Sequence, residues 1–193
     1  MAEPAGKYAR FEFERRFLLD RAPDGINGDR GWRITDRYIK KTTLRLRRME
    51  SLDGAETVFK LGQKHVLSPP NFGLMTITNI YLSANEYAVL AQLDAFELRK
   101  RRYPIEHAHN TFGIDVFAAN LEGLVLAEVG FDTRTEMEES LALPPRAIRE
   151  VSGDDRFTGG ALARLTADGA ADLLRTIGAS DRGDGPGSRR RRA

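Results

Sequence analysis

The sequence predicts an α+β fold whose core is a closed antiparallel β-barrel. Short stretches with a two-residue alternation of side chains follow one another along most of the 193 residues, and turn signals separate them. Segments with helical cap signals are inserted between these stretches, which indicates helices packed on a sheet. Many short strands favour a sheet that closes on itself, because closure leaves no unpaired edge.

Residues 11–17 predict the opening strand, and the rest of the chain repeats its pattern. The segment reads Phe-Glu-Phe-Glu-Arg-Arg-Phe. Successive side chains of a strand point to opposite faces, so Glu12, Glu14 and Arg16 share one face. The other face carries Phe11, Phe13, Arg15 and Phe17. A row with two acids and a base therefore lies opposite a largely aromatic row.

The next segments continue the alternation with basic residues. Residues 20–31 are rich in Gly, Asp and Pro and predict a loop. Residues 32–41 are expected to form a short strand after it. Within residues 42–49, Arg45 and Arg47 alternate with leucines. This alternation predicts a strand with one basic face and one apolar face.

An Asp-Gly turn signal leads from this strand into a return strand over residues 56–61, which carries Lys60. After a break with two prolines, residues 74–82 form a β-rich run in which Thr76 and Thr78 share a face. Both hydroxyls are expected to contribute to the same wall of the barrel.

Helix starts are marked by Ser83 with Glu86 and by Thr135 with Glu138, both at the capping-box spacing. The first predicts a helix over residues 83–93. Two more short helices are expected near the end of the chain, over 159–165, capped by Thr158, and over 169–177.

The later strands place acids and bases among apolar residues. Lys100 and Arg102 share a face of one strand, while Asp115 and Glu128 each lie in an apolar strand. The predicted strands of this part span residues 98–105, 111–117, 123–131 and 146–151.

The charged faces allow two interpretations. In an ordinary barrel the apolar faces fill the interior and the charged faces meet solvent. In the second interpretation, helices such as 83–93 pack on the apolar strand faces, and the charged faces line the lumen. A lumen that holds both signs of charge suits a polyanion with a divalent cation.

Composition limits the class of metal site and the cellular location. The chain has no cysteine, so disulfides and thiolate metal sites are excluded, and a hard cation such as Mg²⁺ or Mn²⁺ is the natural candidate. No apolar run reaches the length of a membrane helix, and no signal peptide is recognisable. We expect a cytoplasmic protein that does not bind membranes.

Charge is distributed unevenly along the chain. Residues 181–193 hold five arginines and two aspartates, which leaves 25 of the 30 basic and 26 of the 28 acidic residues in the first 180. Residues 1–180 are therefore expected to form a single, nearly neutral domain. We expect 181–193 to be a disordered basic tail, in which Arg189 to Arg192 either bind polyanions such as nucleic acid weakly or only solubilise the chain.

The charged residues also occur in the order of a known family. The segment Glu12-Phe-Glu14-Arg-Arg16 resembles the opening Glu-x-Glu-x-Lys motif of CYTH domains, also called triphosphate tunnel metalloenzymes. The resemblance covers roughly residues 8–165. The later matching features are, in order, Arg45-Leu-Arg47, Lys60, Lys100-Arg-Arg102-Tyr103, Asp115-Val-Phe117, Gly123-Leu-Val-Leu-Ala-Glu128-Val, Glu150-Val and Asp155-Arg156-Phe157.

The resemblance implies a tunnel of eight antiparallel strands with a charged lumen and helices outside, which acts on triphosphate compounds with Mg²⁺ or Mn²⁺. Glu12, Glu14 and Arg16 would be catalytic. With Glu128, the two opening glutamates would bind metal or position the attacking water. Asp115 would be a further polar residue of the wall. The side chains that hold phosphate oxygens would be Arg45, Arg47, Lys60, Lys100, Arg102 and Arg156.

The sequence departs from the family pattern at three places. Arg16 stands where the family usually has lysine, so a planar fork replaces a compact ammonium group. The strand with Thr76 and Thr78 lacks the paired acids that many members carry there. Gly130 occupies the position of a second glutamate after Glu128, and glycine has no side chain to bind metal.

The expected function is that of a metal-dependent phosphohydrolase, a triphosphatase acting on a small triphosphate. Inorganic triphosphate is the first candidate substrate, and a nucleoside or thiamine triphosphate follows. Two alternatives stay open at this point. One is an adenylate cyclase of the same family, and the other is a non-catalytic protein that binds polyphosphate or nucleotide, which the glycine at position 130 favours.

Overall fold

A computed structural model describes residues 7–26, 28, 30–66 and 74–180 as nine strands with four helices. Two 3₁₀ turns, Ala119–Leu121 and Asp155–Phe157, accompany them. The strands are β1 (Arg10–Leu19), β2 (Trp32–Ile39), β3 (Leu44–Ser51), β4 (Thr57–Val66), β5 (Leu74–Leu82), β6 (Ala95–His107), β7 (Asn110–Phe117), β8 (Val125–Phe131) and β9 (Ala147–Glu150). The helices are α1 (Ala84–Leu90), α2 (Arg134–Glu139), α3 (Gly159–Ala163) and α4 (Ala167–Ser180).

Strand β1 closes the sheet into a barrel. The strand order is β5-β4-β3-β2-β6-β7-β8-β1, and β1 also pairs with β5. On one edge β1 pairs with β8 from Phe13 to Leu19, and on the other edge its residues Arg10 to Phe13 pair with β5. The second half of that edge, from Phe17 onward, pairs with β9. The predicted closed eight-stranded antiparallel barrel is therefore confirmed, with β9 as an additional strand outside the ring.

Apolar side chains cover the outer face of β1, β7 and β8. Phe17, Phe112 and Ile114 have no exposed surface, and they form one cluster with residues of β8. Ala22 and Ala142, from segments outside the barrel, pack against this cluster. Alternation then directs the charged residues of the same strands inward. The interpretation with a charged lumen is the one that the structure has.

A second apolar cluster closes one end of the lumen. Leu18, Leu98 and Leu126 lie on the lumen side of β1, β6 and β8, two residues beyond the charged positions. They form one cluster with Leu162 of α3 and Leu173 of α4. We call this closed end the apolar floor. It makes the interior a cup at this end rather than an open passage.

Most predicted elements are present, with local differences. The second capping box is formed by Thr133 and Glu136, so the prediction for Thr135 is wrong. Strand β4 continues beyond residue 61 to Val66. The predicted basic tail, residues 181–193, lies outside the described residues. No described helix has both the length and the apolar character needed to cross a membrane.

The prediction that Thr76 contributes to the lumen wall is also wrong. Thr76 pairs with Phe11, which lies on the outer face of β1, and its buried hydroxyl has no hydrogen-bond partner among the described residues. Asn79 lies on the lumen side instead. A Cβ atom added at Gly62 would lie 2.8 Å from Oδ1 of Asn79 and 3.5 Å from a guanidinium nitrogen of Arg45.

Candidate functional site

Charged side chains of both signs line the lumen above the apolar floor. The basic residues lie mainly on β3, β4 and β6, and the acidic residues mainly on β1 and β8. Salt bridges and strand register place on this face Glu12, Glu14, Arg16, Asp36, Arg45, Arg47, Lys60, Lys64, Lys100, Arg102, Asp115 and Glu128.

Arg16 links the two acids that flank it in the sheet. Its guanidinium donates to Glu14 at 2.5 Å and to Oε1 of Glu128 at 2.9 Å. The link follows from register, because Arg16 is paired with Glu128 across β1 and β8. Glu12, further from the floor, accepts a hydrogen bond from Lys64 of β4. The three acids of this wall are therefore all engaged by basic side chains of the same chain.

Asp36 holds two arginines of β3. Its carboxylate is 1% exposed and accepts a pair of hydrogen bonds from Arg47, at 2.6 and 2.7 Å. Arg45 is held more loosely, with Nε 3.7 Å from the same carboxylate. Arg47 is therefore fixed by a bidentate pair, whereas the guanidinium of Arg45 has donors left for a ligand.

Asp115 organises the basic residues of β6. It is fully buried, and it accepts a 2.5 Å hydrogen bond from Lys100 and a bidentate pair from Arg102. Arg102 also donates to Glu128. Gly113 makes room for this arrangement, since an added Cβ would lie 3.2 Å from Cδ of Arg102.

Lys60 differs from the other predicted phosphate-binding residues of the barrel, because it forms no ion pair with a described carboxylate. Its ammonium nitrogen lies 4.9 Å from the centre of the Tyr81 ring, and it has no carboxylate partner among the described residues. It stands opposite Arg47 in the register of β3 and β4. An unpaired ammonium next to a fixed guanidinium is a ready position for a phosphate oxygen.

Burial and charge shift the pKa values of the two linked acids in opposite directions. Burial raises the pKa of Glu14, and the neighbouring charge of Glu128 acts in the same direction. Burial would also raise the pKa of Glu128, but Arg102, Lys100 and Arg16 outweigh it and hold that pKa well below its ordinary value. Glu14 is therefore the more basic carboxylate of the pair.

The structure brings the predicted site residues together with one exception. Arg156 lies in a 3₁₀ turn outside the barrel, with its side chain 58% exposed, bonded to Asp154 and beside the ring of Phe157. Two residues of the cluster were not expected from the sequence. Lys64 lies beyond the predicted end of its strand, and Asp36 becomes significant only through its pairing with Arg47.

The donor chemistry fits a hard cation, although no metal-binding group of acids is preassembled. Glu12, Glu14 and Glu128 supply the carboxylate oxygens that Mg²⁺ and Mn²⁺ prefer. In the described part of the chain, however, no three acidic or histidine side chains converge on one point. Position 130 is open, since an added Cβ would meet only the carbonyl oxygen of Phe13, at 3.9 Å. Close packing therefore does not explain the glycine.

The fold is similar to that of a protein of known structure. Two crystal structures match the chain with a TM-score of 0.53 each over 80% of its length, one described as the inorganic triphosphatase NE1496 and the other as the hypothetical protein NE1496. The sequence identities are 24% and 25%, and the matches cover 95% and 99% of those chains. No protein-family model and no curated protein matches the sequence.

Proposed function

We propose that the chain is a metal-dependent triphosphatase of the CYTH, or triphosphate tunnel metalloenzyme, family, and that it hydrolyses a small triphosphate, inorganic triphosphate first. The observation that carries the proposal is the lumen, in which a basic wall on β3, β4 and β6 faces acids on β1 and β8. Guanidinium and ammonium groups bind phosphate oxygens, and carboxylates bind a hard cation. The fold shared with an inorganic triphosphatase supports this substrate class.

The basic residues would hold the phosphate chain in a fixed orientation. Lys60 and Arg45 are the natural first contacts, because Lys60 has no ionic partner among the described residues and Arg45 lies 3.7 Å from Asp36 without a bidentate pair. Arg47 and Arg102 are fixed by buried aspartates, so they would present their remaining donors without moving. Preorganised donors of this kind stabilise charge that develops on phosphate oxygens.

Glu14 would take the proton of the attacking water. The water oxygen forms a bond to the terminal phosphorus, the bond from that phosphorus to the bridging oxygen breaks, and pyrophosphate leaves. A raised pKa makes Glu14 a better proton acceptor than an exposed carboxylate. Arg16 cannot accept a proton, since guanidinium stays charged, and its role would be to hold Glu14 and Glu128 in place.

Mg²⁺ or Mn²⁺ would be held by Glu12, Glu14 and Glu128, and it would supply charge neutralisation on the substrate and activation of water. The pairing of these acids with Arg16 and Lys64 opposes metal binding in the free protein. An incoming triphosphate offers the two basic groups other oxygens to bind. We therefore expect tight metal binding only together with the triphosphate.

The proposal predicts that phosphate release from inorganic triphosphate requires added Mn²⁺ or Mg²⁺ and is faster than release from ATP or thiamine triphosphate. Arg45→Ala should weaken triphosphate binding by about tenfold or more, because charge-assisted hydrogen bonds contribute roughly 1.5 to 3 kcal/mol each. Phosphate release and calorimetric titration measure the two effects. Arg47 still neutralises Asp36 in this variant, so its melting temperature should change little.

Two outcomes would contradict this proposal in different ways. Triphosphate that binds tightly without being hydrolysed under any metal condition would favour the non-catalytic binding protein. The ion pairs of the lumen acids with basic side chains are consistent with that alternative. An Arg45→Ala variant with unaltered affinity would place that side chain outside the phosphate site.

A second prediction concerns position 130. Gly130→Glu should lower the Mn²⁺ concentration needed for half-maximal hydrolysis, because the new carboxylate would stand two residues from Glu128 on the same face and opposite Glu14. The space around the position admits a side chain. A titration of activity against Mn²⁺ measures the change.

Gly130→Gln is the matched control, since it adds the same volume without the charge. An equal response of both variants, or an unchanged Mn²⁺ requirement in a folded Gly130→Glu protein, would show that the missing acid does not limit metal binding.

A further inference from the structure

A second basic site lies outside the barrel. The outer faces of β2, β3 and β6, together with α1, enclose a groove of about 430 Å³. Tyr87 and Ala91 form its helical side, and Ala118 lies at another edge. The charged residues that line it are Arg33, Arg37, Arg48, Glu97, Arg99, Arg101 and Lys100, and the ammonium group of Lys100 bonds to Asp115 in the lumen. We call this the outer groove.

The outer groove is separate from the lumen. Arg99 and Arg101 alternate with Lys100 and Arg102 along β6, and they therefore point to the opposite face of the sheet. The two rows share a strand, but the sheet itself stands between their charged groups. A ligand of the outer groove could not reach the carboxylates of the lumen.

The strand register leaves one rung of the groove without a balancing charge. On β2 and β6, Arg37 is paired with Glu97 and bonds to it at 3.1 Å, which is a favourable cross-strand pair. Two rungs away on the same face, Arg33 is paired directly with Arg101. Like charges directly opposite each other destabilise a sheet. The chain therefore carries a repulsive pair two rungs from a matched pair on the same face.

The surrounding acids are engaged elsewhere. Glu97 also accepts from Arg99, and Glu50, which lies across from Arg33 on β3, bonds to Arg48 at 2.8 Å. Arg33 and Arg101 have no ion-pair partner among the described residues. The five arginines and two glutamates at this surface leave an excess of positive charge centred on this rung.

We propose that the outer groove binds a small anion with several phosphate groups, without a metal ion. Arg33 and Arg101 would bind one phosphate group between them, and Arg48 and Arg99 would bind the next. The volume of the groove suits a ligand of triphosphate or nucleotide size rather than a long polymer. The described acids at this surface, Glu50 and Glu97, are both bonded to arginines, so neither is free to hold a cation.

The test is a calorimetric titration of the full chain with inorganic triphosphate in EDTA, at low and at high salt. The outer groove predicts a metal-independent binding event that weakens as salt rises, because exposed charges are screened. Arg33→Gln with Arg101→Gln should weaken this event about tenfold or more. The same double variant should hydrolyse triphosphate with Mn²⁺ at a rate within twofold of the unaltered protein.

The matched control is Arg134→Gln with Arg175→Gln, which removes the same charge from two exposed helical arginines away from the groove. An equal loss of binding in both double variants would show a net-charge effect and overturn the proposal. A single-stranded oligonucleotide that binds more tightly than triphosphate through Arg33 and Arg101 would overturn the choice of a small anion. Failure of hydrolysis in the unaltered protein would count against the lumen proposal alone, because the groove is measured without metal.

Discussion

Glu14→Gln should reduce triphosphate hydrolysis by about two to four orders of magnitude while the protein remains folded. The substitution keeps the volume of the side chain and removes both the proton acceptor and a metal ligand of the proposed site. Folding should tolerate it well, because burial already disfavours the charged form of Glu14. Steady-state phosphate release at saturating Mn²⁺, with a thermal melt of the same sample, measures both effects.

The control is Glu138→Gln, which changes an exposed acid of α2 that pairs with Arg134. The raised pKa adds a pH signature. As pH falls, Glu14 gains its proton earlier than an exposed glutamate, so hydrolysis by the unaltered protein should decline above the ordinary glutamate value of 4.5. Glu14→Gln with full activity, or a decline set only at pH values below 4.5, would remove Glu14 from the chemistry.

Arg47→Ala should destabilise the barrel by about 3 to 5 kcal/mol, because it leaves the carboxylate of Asp36 buried without its bidentate partner. For a domain of this size such a loss lowers the melting temperature by roughly 10 °C. Arg45 offers Asp36 only a weaker contact in its place, since its Nε lies 3.7 Å from the carboxylate. Thermal unfolding at neutral pH measures the loss.

The double variant Arg47→Ala with Asp36→Asn should recover part of this stability, because a neutral amide costs less to bury than an unpaired charge. The pH dependence follows from the pKa of Asp36. Burial opposes its ionisation, but Arg47 and Arg45 outweigh burial and hold the pKa below its ordinary value. The stabilisation from this pair is therefore fully present above the unfolded pKa of about 3.9 and is lost as pH falls below it. Equal stability of Arg47→Ala and Arg45→Ala would contradict this account.

Much of the fold could be predicted because charge alternation is a local property of a strand. Glu12, Glu14 and Arg16 belong to one face whatever the partner strand is, and repeating that pattern predicts a closed barrel. The number of eight strands was implied by the resemblance to CYTH domains and not by the pattern. A further argument was needed to decide which face points into the lumen. Helices pack on apolar surfaces, so the apolar strand faces lie outside and the charged faces lie inside. The apolar floor was not expected. The lumen leucines and the residues of α3 and α4 are far apart in the sequence, and only the fold brings them into contact.

The parts of the site that could not be predicted depend on register and on strand ends. Lys64 was missed because Gly62 and Gln63 break the alternation of β4, although Gly62 fits a place where Asn79 and Arg45 come close. Asp36 has no distinctive neighbours in sequence, and its role comes from a partner on another strand. Arg156 follows a family motif in order but folds into a local pair with Asp154.

The apolar floor has a consequence for how a phosphate chain can be processed. A chain that could pass through the barrel could be cut at internal bonds and advance in steps, with products leaving ahead of it. A lumen that Leu18, Leu98 and Leu126 block allows only insertion of a chain end. Products would then have to leave through the same opening by which the substrate enters, so pyrophosphate should compete with triphosphate. Longer chains should be shortened only from their termini.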